Sequence, residues 1–483
     1  MSQAFSTVLE ALRSDNPLRL RRILWITLVL ASCARRSPPV ETTTRPAASL
    51  SASAAAPAAV APATWVENDY AGALARARSR NLPLFVDASA VWCHTCLAMR
   101  AFVLDEPALE KSALVWFSFD VERSENDAIA ARYPAKVLPT FFVVDAASET
   151  VHGRWEGAAT VDQMRDFLRD ARRSIELSHA GSLRPDDPLA LLLAGHRAAM
   201  ANDHETARLR FTEALHAAPP AWSRRPDALL ALIAALERGK EDDACLELAL
   251  ETLPGDALGR SSTLADFSAS ALACAVHAPS SSARARALRE LVAKKLREVA
   301  RDPTAPLSPD DRGDALRIVW DADEALGHHD GALAAARERL DVLDAAAKRA
   351  PNAAVASTFD GARLETLVFL GRAPDAVRFL TERERELPDD YNPPHRLASA
   401  YQALGEHENA LHAIDRAIAK AWGARKARML DKRADILVEL GRIGEARKTL
   451  ESELSHLASL PAAQKKPELE AAARKHLEKL AAP

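Results

Sequence analysis

The chain has 483 residues, 48% of them hydrophobic and 27% charged, which is enough for two or more domains with separate cores. Its 63 basic residues against 67 acidic ones leave a formal charge of −4, so there is no net basic footprint for nucleic acid. Five cysteines in this length do not make a disulfide framework. No phosphate loop, hydrolase elbow or zinc quartet is found in the sequence.

Arg19-Leu20-Arg21-Arg22 precedes the apolar run Ile23 to Leu30, which closes with Ala31-Ser32-Cys33. A basic segment, a short apolar segment and small residues predict a secretory signal over 1–33, too short to span a bilayer, which takes about 20 apolar residues. Leu30-Ala31-Ser32-Cys33 resembles the bacterial lipobox, and that resemblance implies lipidation of Cys33 as the mature N-terminus. Residues 34–63 are almost wholly Ala, Pro, Ser and Thr, cannot bury a core, and predict a disordered tether with about 30 Å of mean reach. Ala34 is not the Asp that retains lipoproteins at the inner membrane of enteric bacteria. The expected location is therefore the cell envelope or periplasm, lipid-anchored to the outer membrane.

Leu82 to Ala88 is a short apolar run of strand type, and Cys96 to Phe102 has helical spacing of its apolar residues. Between them lies Asp87-Ala88-Ser89-Ala90-Val91-Trp92-Cys93-His94-Thr95-Cys96, which places a Cys-x-x-Cys pair at a strand-to-helix turn. Two thiolates at this spacing also form half of a zinc site, and Cys93, Cys96 and His94 offer a copper set; the reading preferred here assigns no metal. At a helix N-terminus Cys93 is stabilised as a thiolate and attacks a substrate disulfide, after which Cys96 resolves the mixed disulfide. Asp87, six residues earlier, is a candidate acceptor of the Cys96 proton if it faces inward with a raised pKa. A structural Asp satisfied by backbone hydrogen bonds is the alternative.

Further along come a helix over Asn68 to Arg80, a strand over Leu114 to Glu122, and Leu138-Pro139-Thr140 entering a strand over Phe141 to Asp145. Val151 to Trp155 supplies a last strand, and Thr160-Val161-Asp162-Gln163 is a capping box opening a helix with Val161, Met164, Phe167 and Leu168 on one face. In this order the stretch from Ala63 to Ile175 resembles the thioredoxin family. The resemblance implies an α/β domain over 64–180, with a central mixed sheet flanked by helices. It also implies a cis bond before Pro139, packed against the active-site sulfurs, with Trp92, Pro139 and Thr140 positioning the substrate. No cofactor beyond the Cys93–Cys96 disulfide is implied. The implied partners are protein thiols and disulfides and a membrane or soluble thiol redox partner. Asp105 to Pro107 and Phe119 to Glu122 are most similar to secreted and membrane-associated branches, including the terminal domain of transmembrane thiol reductases. Two departures stand out: the strand Leu114 to Glu122 lacks the lysine that accompanies the buried Asp, and His94-Thr95, which tunes the couple, replaces Gly-Pro.

After about Gly181 strand patterns vanish. Leu-Gly followed by Ala recurs at Leu326-Gly327/Ala332, Leu370-Gly371/Ala376, Leu404-Gly405/Ala410 and Leu440-Gly441/Ala446, with steps of 44, 34 and 36 between the alanines. Gly195, Ala207, Phe211, Ala214 and Pro219 fit an earlier unit, and Gly239 and Ala244 another. These positions resemble tetratricopeptide repeats and imply an all-α helical solenoid over 187–483, with Gly and Ala at helix crossings. A cap helix carries Leu469, Ala472, Ala473, His476, Leu477 and Leu480 on one face. Such stacks imply a protein or peptide ligand; a spacer is the alternative. Cys245 and Cys274, in separate helical segments, are expected as small buried thiols, a disulfide between them being the alternative. His328-His329-Asp330 is expected in a solvated turn. The leading expectation is an envelope thiol-disulfide oxidoreductase, with reduction slightly preferred. Its rival is an interaction scaffold with a non-catalytic thioredoxin-like module.

Overall fold

The computed structural model describes residues 65–276, 278 and 282–481; the signal, Cys33 and the Ala/Pro-rich tether lie outside the described residues. The first half is built on alternation. In β2 (Leu84–Ser89), Phe85 points to one side of the sheet while Leu84, Val86 and Ala88 point to the other, so each side buries its own cluster. β3 (Val115–Asp120) lies parallel to β2 and to the short β1 (Val66–Glu67). β4 (Thr140–Val144) runs antiparallel to β2, and β5 (Val151–Glu156) antiparallel to β4, giving a mixed sheet in the order β1-β3-β2-β4-β5.

α1 (Tyr70–Arg80) and α3 (Asp127–Arg132) cover the side holding Leu84, Val86, Phe117 and Phe142. The opposite side, with Phe85, Trp116, Phe141 and Trp155, is covered by α2 (His94–Met99), which continues as a π-helical turn over Arg100–Leu104, and by α4 (Val161–His179). The capping box expected at Thr160 is formed: its hydroxyl accepts from Gln163 N, and Gln163 Oε1 accepts from Thr160 N at 2.9 Å. The expected strands and helices are present with their ends moved by one or two residues.

The second half is wholly helical. Its helices pair as α5 (Pro188–Met200) with α6 (His204–Ala217), α7 (Arg225–Arg238) with α8 (Asp242–Thr252), and α9 (Ser262–Val276) with α10 (Ala283–Arg301). They continue as α11 (Pro309–Leu326) with α12 (His329–Arg349), α13 (Ala353–Phe369) with α14 (Ala373–Glu386), α15 (Asn392–Ala403) with α16 (His407–Lys420), and α17 (Gly423–Glu439) with α18 (Ile443–Ser459). α19 (Pro467–Ala481) closes the stack, with Leu469 and Ala473 turned inward and Ala472 exposed. Ala332, Ala376, Ala410 and Ala446 are all fully buried, as close helix packing requires.

The repeated glycines have a different role from the one expected. Gly327, Gly371, Gly405 and Gly441 have φ between 70° and 78°, and a Cβ on any of them would meet nothing within 4 Å. They end the first helix of each pair in the left-handed conformation and close nothing. Close approach is required instead at Gly195, where a Cβ would lie 2.4 Å from the Phe211 ring. A second correction concerns the cysteines: Cys245 and Cys274 are disulfide-bonded, with both side chains fully buried and Cα atoms 6.3 Å apart, and they staple α8 to α9. His328 caps α12 and His329 is its first residue, exposed and within 2.7 Å of Glu324.

The first helix of every pair faces the sheet domain. α5 packs on β5; Arg238 of α7 pairs with Glu156 at 3.1 Å; Thr263 of α9 accepts from Gln163 at 2.8 Å. Asp310 of α11 meets His94, Phe359 of α13 meets Phe102, and Asn392 of α15 donates to Val91 O at 3.1 Å. The Arg425 N–H of α17 donates to Glu122 at 3.1 Å, and beyond α18 Gln464 donates to Arg123 O at 2.7 Å. The inner face of the solenoid is thus occupied by the chain's own sheet domain.

Candidate active site

β2 ends at Ser89 and the chain turns so that Cys93 N–H donates to Ala90 O at 3.0 Å, which places Cys93 as the N-cap of α2. Its sulfur accepts from Cys96 N at 3.0 Å and is bonded to the Cys96 sulfur. The pair therefore sits at the strand-to-helix turn, oxidised and nearly enclosed, with Cys93 4% and Cys96 7% exposed. Trp92, Val121 and Leu138 pack against the small cluster of Ala90, Cys93 and Cys96, and the Leu138–Pro139 bond is cis. Pro139 O accepts from Gly157 N at 2.9 Å, while Thr140 is fully buried with its hydroxyl turned back to Val137 O. Trp92 is half-buried and packs on the second solenoid core.

Asp87 is 5% exposed on the α2 side of the sheet. Its Oδ2 accepts from Ser118 Oγ at 3.0 Å, and its Oδ1 is buried without a hydrogen-bond partner. Loss of water pushes the carboxyl up to about 6, only partly offset by Arg100 and the Ser118 hydroxyl. The lysine missing from β3 has a substitute: Ser118 stands opposite Asp87 in the ladder, and the cation comes from across the site as Arg100, 3.8 Å away and stacked on Trp65.

His94 points away from the sheet domain toward the solenoid. Its Nδ1 meets Asp310 at 3.0 Å, and Asp310 is 1% exposed. Burial alone would lower the imidazole pKa, but Asp310 and Asp314 outweigh it and raise it to about 9, so His94 is a cation clamped between domains. His94, Asp310 and Asp314 are the one place among the described residues where metal-type donors gather within 4.8 Å, and their opposite charges account for the grouping. Thr95, next in the chain, is buried.

Beside Cys93 opens a cleft of about 260 Å³. Trp92, Val121, Tyr133 and Leu138 line one wall; Arg425 and Arg428 of α17 and Lys466 line the other, with Lys136 at the loop end. None of Arg100, Asp310, Arg425, Arg428 or Lys466 was found by sequence reasoning. Arg100 carries no motif, and the others stand more than 200 residues from the thiols.

Residues 64–146 match the family model described as Thioredoxin-like. They form a thioredoxin-like domain. The helical half that holds this domain resembles tetratricopeptide-repeat (TPR) proteins. Similar solved structures include a TPR protein from Parabacteroides merdae, at 12% identity, covering 61% of this chain and 99% of that one with TM-score 0.39. Another is the TPR2AB-domain:pHSP90-complex of yeast Sti1, at 15% identity, 61% and 98% coverage and TM-score 0.24. A third is a thermophilic TPR protein from Thermus thermophilus, at 18% identity, 44% and 99% coverage and TM-score 0.29. The repeat architecture rests on the helix pairs themselves. No curated protein matches the chain. The thioredoxin-like fold is compatible with oxidoreductase activity, and its sheet brings Cys93, Cys96, Asp87 and Pro139 to one end.

Proposed function

We propose that the chain is a cell-envelope thiol-disulfide oxidoreductase, held to the membrane through lipid on Cys33. The observation that carries this reading is the bonded Cys93–Cys96 pair at the base of a cleft, beside the cis Leu138–Pro139 bond and in front of a buried, partly unpartnered Asp87. When reduced, Cys93 is the nucleophile and Cys96 the resolving thiol. Asp87 takes the Cys96 proton, and Trp92 and Pro139 shape the mouth. Electrons pass to or from another thiol, with reduction preferred for the resemblance to transmembrane-reductase terminal domains. The helical half is an interaction module, and partners reach the thiols past its rim.

A scaffold remains the second reading, favoured by the near-complete enclosure of Cys93 among the solenoid's inner helices. The reduction potential separates the two: the full chain is equilibrated in glutathione buffers and its thiols are counted by alkylation. A value near −270 mV marks a reductant, one of about −120 to −180 mV an oxidase or isomerase, and a pair that never equilibrates leaves the scaffold. Fatty-acid labelling in cells, lost in Cys33→Ser, tests the anchor.

A further inference from the structure

The two walls of the Cys93 cleft differ in chemistry. The thioredoxin-like wall is largely apolar apart from Glu122 and Lys136, whereas the helical half brings Arg425, Arg428 and Lys466, so that four cations meet in a space of about 260 Å³. Among the described residues none of the four has a carboxylate within ion-pair distance; Lys136 reaches only the Asn202 amide. The Arg425 guanidinium lies 5.2 Å from the Trp92 ring centroid, and its Nε is buried with no hydrogen-bond partner. Arginines nearby are paired as surface arginines ordinarily are: Arg433, on the same helix, holds Asp415 at 2.7 Å, and Arg416 holds Glu384 at 2.8 Å. The cleft's own carboxylate, Glu122, is already taken by the Arg425 backbone N–H, and burial pushes its carboxyl up to about 7. Arg425, Arg428 and Lys466 are half-buried and Lys136 is exposed, and against these four cations the cleft's lining sets one carboxylate, Glu122, whose field reaches Arg425. This excess of positive charge beside a reactive sulfur points to an anionic ligand.

We propose that this cleft binds a small carboxylate-bearing thiol or its disulfide, of about two or three residues, with Lys136, Arg425, Arg428 and Lys466 receiving the carboxylates. The inference rests on the thiol-disulfide reading and names its substrate class. Size decides against a folded protein: at about 260 Å³ the space lies just below the usual range of ligand pockets, roughly 300–1,000 Å³, and Cys93 is 4% exposed at its base. In the reducing direction, the Cys93 thiolate attacks the small disulfide, forms a mixed disulfide and expels one small thiolate. The Cys96 thiolate then attacks the Cys93 sulfur, which closes the Cys93–Cys96 bond and expels the second. In reverse, two small thiols reduce the pair and leave as their disulfide.

The test is the rate at which the full oxidised chain is reduced by glutathione (anionic), cysteamine (cationic) and 2-mercaptoethanol (neutral), each corrected by its rate on a simple model disulfide. Glutathione should exceed cysteamine by about tenfold at low salt, and the advantage should shrink as salt is added. Arg428→Glu with Lys466→Glu should invert the order, and the neutral thiol reports whether the site is still formed. Equal corrected rates for all three thiols, or a ratio unmoved by the double reversal, overturn the small-acidic-thiol assignment while leaving the redox reading intact. A faster reaction with a ten-residue acidic peptide disulfide than with oxidised glutathione also overturns it. No reduction by any of the three sinks the redox reading itself.

Discussion

Two disulfides in this chain share one bond chemistry and have opposite surroundings. Cys93–Cys96 caps a short helix at the base of a cleft, with cations across the gap and a buried carboxyl behind it. Cys245–Cys274 lies between α8 and α9 inside the apolar core of the solenoid, with both side chains fully buried. Exchange needs in-line attack by a thiolate, so access and local charge separate a bond that can work from one that only holds. The same division runs through the whole molecule: the sheet domain presents reactive groups at one end, and the solenoid braces them.

The comparison breaks most sharply by removing each bond. Cys93→Ser with Cys96→Ser should reduce disulfide exchange to background while leaving the urea midpoint almost unchanged. Cys245→Ala with Cys274→Ala should do the reverse: exchange persists, and stability falls by about 3–4 kcal/mol, the chain-entropy estimate for a loop closed across 29 residues. Exchange lost in the second variant and kept in the first would reverse the assignment.

Asp87 sharpens the contrast, because it trades stability for chemistry. Its carboxyl is raised to about 6 against an unfolded value near 3.9, so the charged form is penalised in the fold. That penalty is absent below the unfolded pKa and accumulates as pH rises through 6. Asp87→Asn should therefore gain on the order of 2–3 kcal/mol at pH 7.5, gain nothing near pH 3.5, and slow exchange. Paired urea titrations at the two pH values, with exchange assays, would show it. A variant less stable at pH 7.5 would mean that the carboxylate is held by favourable contacts.

The junction of the two halves gives a smaller effect. Gly423 has φ 56°, and a Cβ there would lie 2.5 Å from Glu122 O, so the first turn of α17 fits the thioredoxin-like domain only as glycine. Gly423→Ala should cost about 1–3 kcal/mol and accelerate proteolysis between the halves. Gly441→Ala, with φ 72° and open space around it, has the backbone strain without the clash and serves as the control.

What the sequence made legible was local. Cys-x-x-Cys after a strand, Leu-Pro-Thr before another, and the Thr160–Gln163 capping box are each written within a few residues, and each forms where expected. The Leu-Gly/Ala repeat placed the helix pairs, but periodicity says which residues turn inward and not how two helices register. Cys245 and Cys274 therefore read as free thiols in sequence, and Gly327 and its equivalents as packing residues. The site's outer half was illegible for a related reason. The contacts that complete it join residues 216 to 341 apart, and no spacing rule links His94 to Asp310 or Arg123 to Gln464. Arg100 was missed because its partner Asp87 is reached through folding, across the sheet-to-helix layer.

The smallest effect tests whether the solenoid reaches into the redox couple at all. His94 sits inside the motif, and its charge is held by Asp310 and Asp314 of α11. With the imidazole raised to about 9 against an unfolded 6.5, the contact stabilises fully below pH 6.5 and is lost as pH rises through 9. His94 is about one-third exposed, so solvent screening keeps the gain in stability under about 1 kcal/mol. Asp310→Asn should lower the His94 titration midpoint, read by NMR of the ring protons. It should also move the reduction potential at pH 8 toward the reducing side, because a cation beside the Cys93 thiolate favours the dithiol. An unmoved potential with a shifted His94 midpoint would mean that the clamp fixes the domain without tuning the thiols. A midpoint that stays near 9 would mean that Asp314 alone holds the charge.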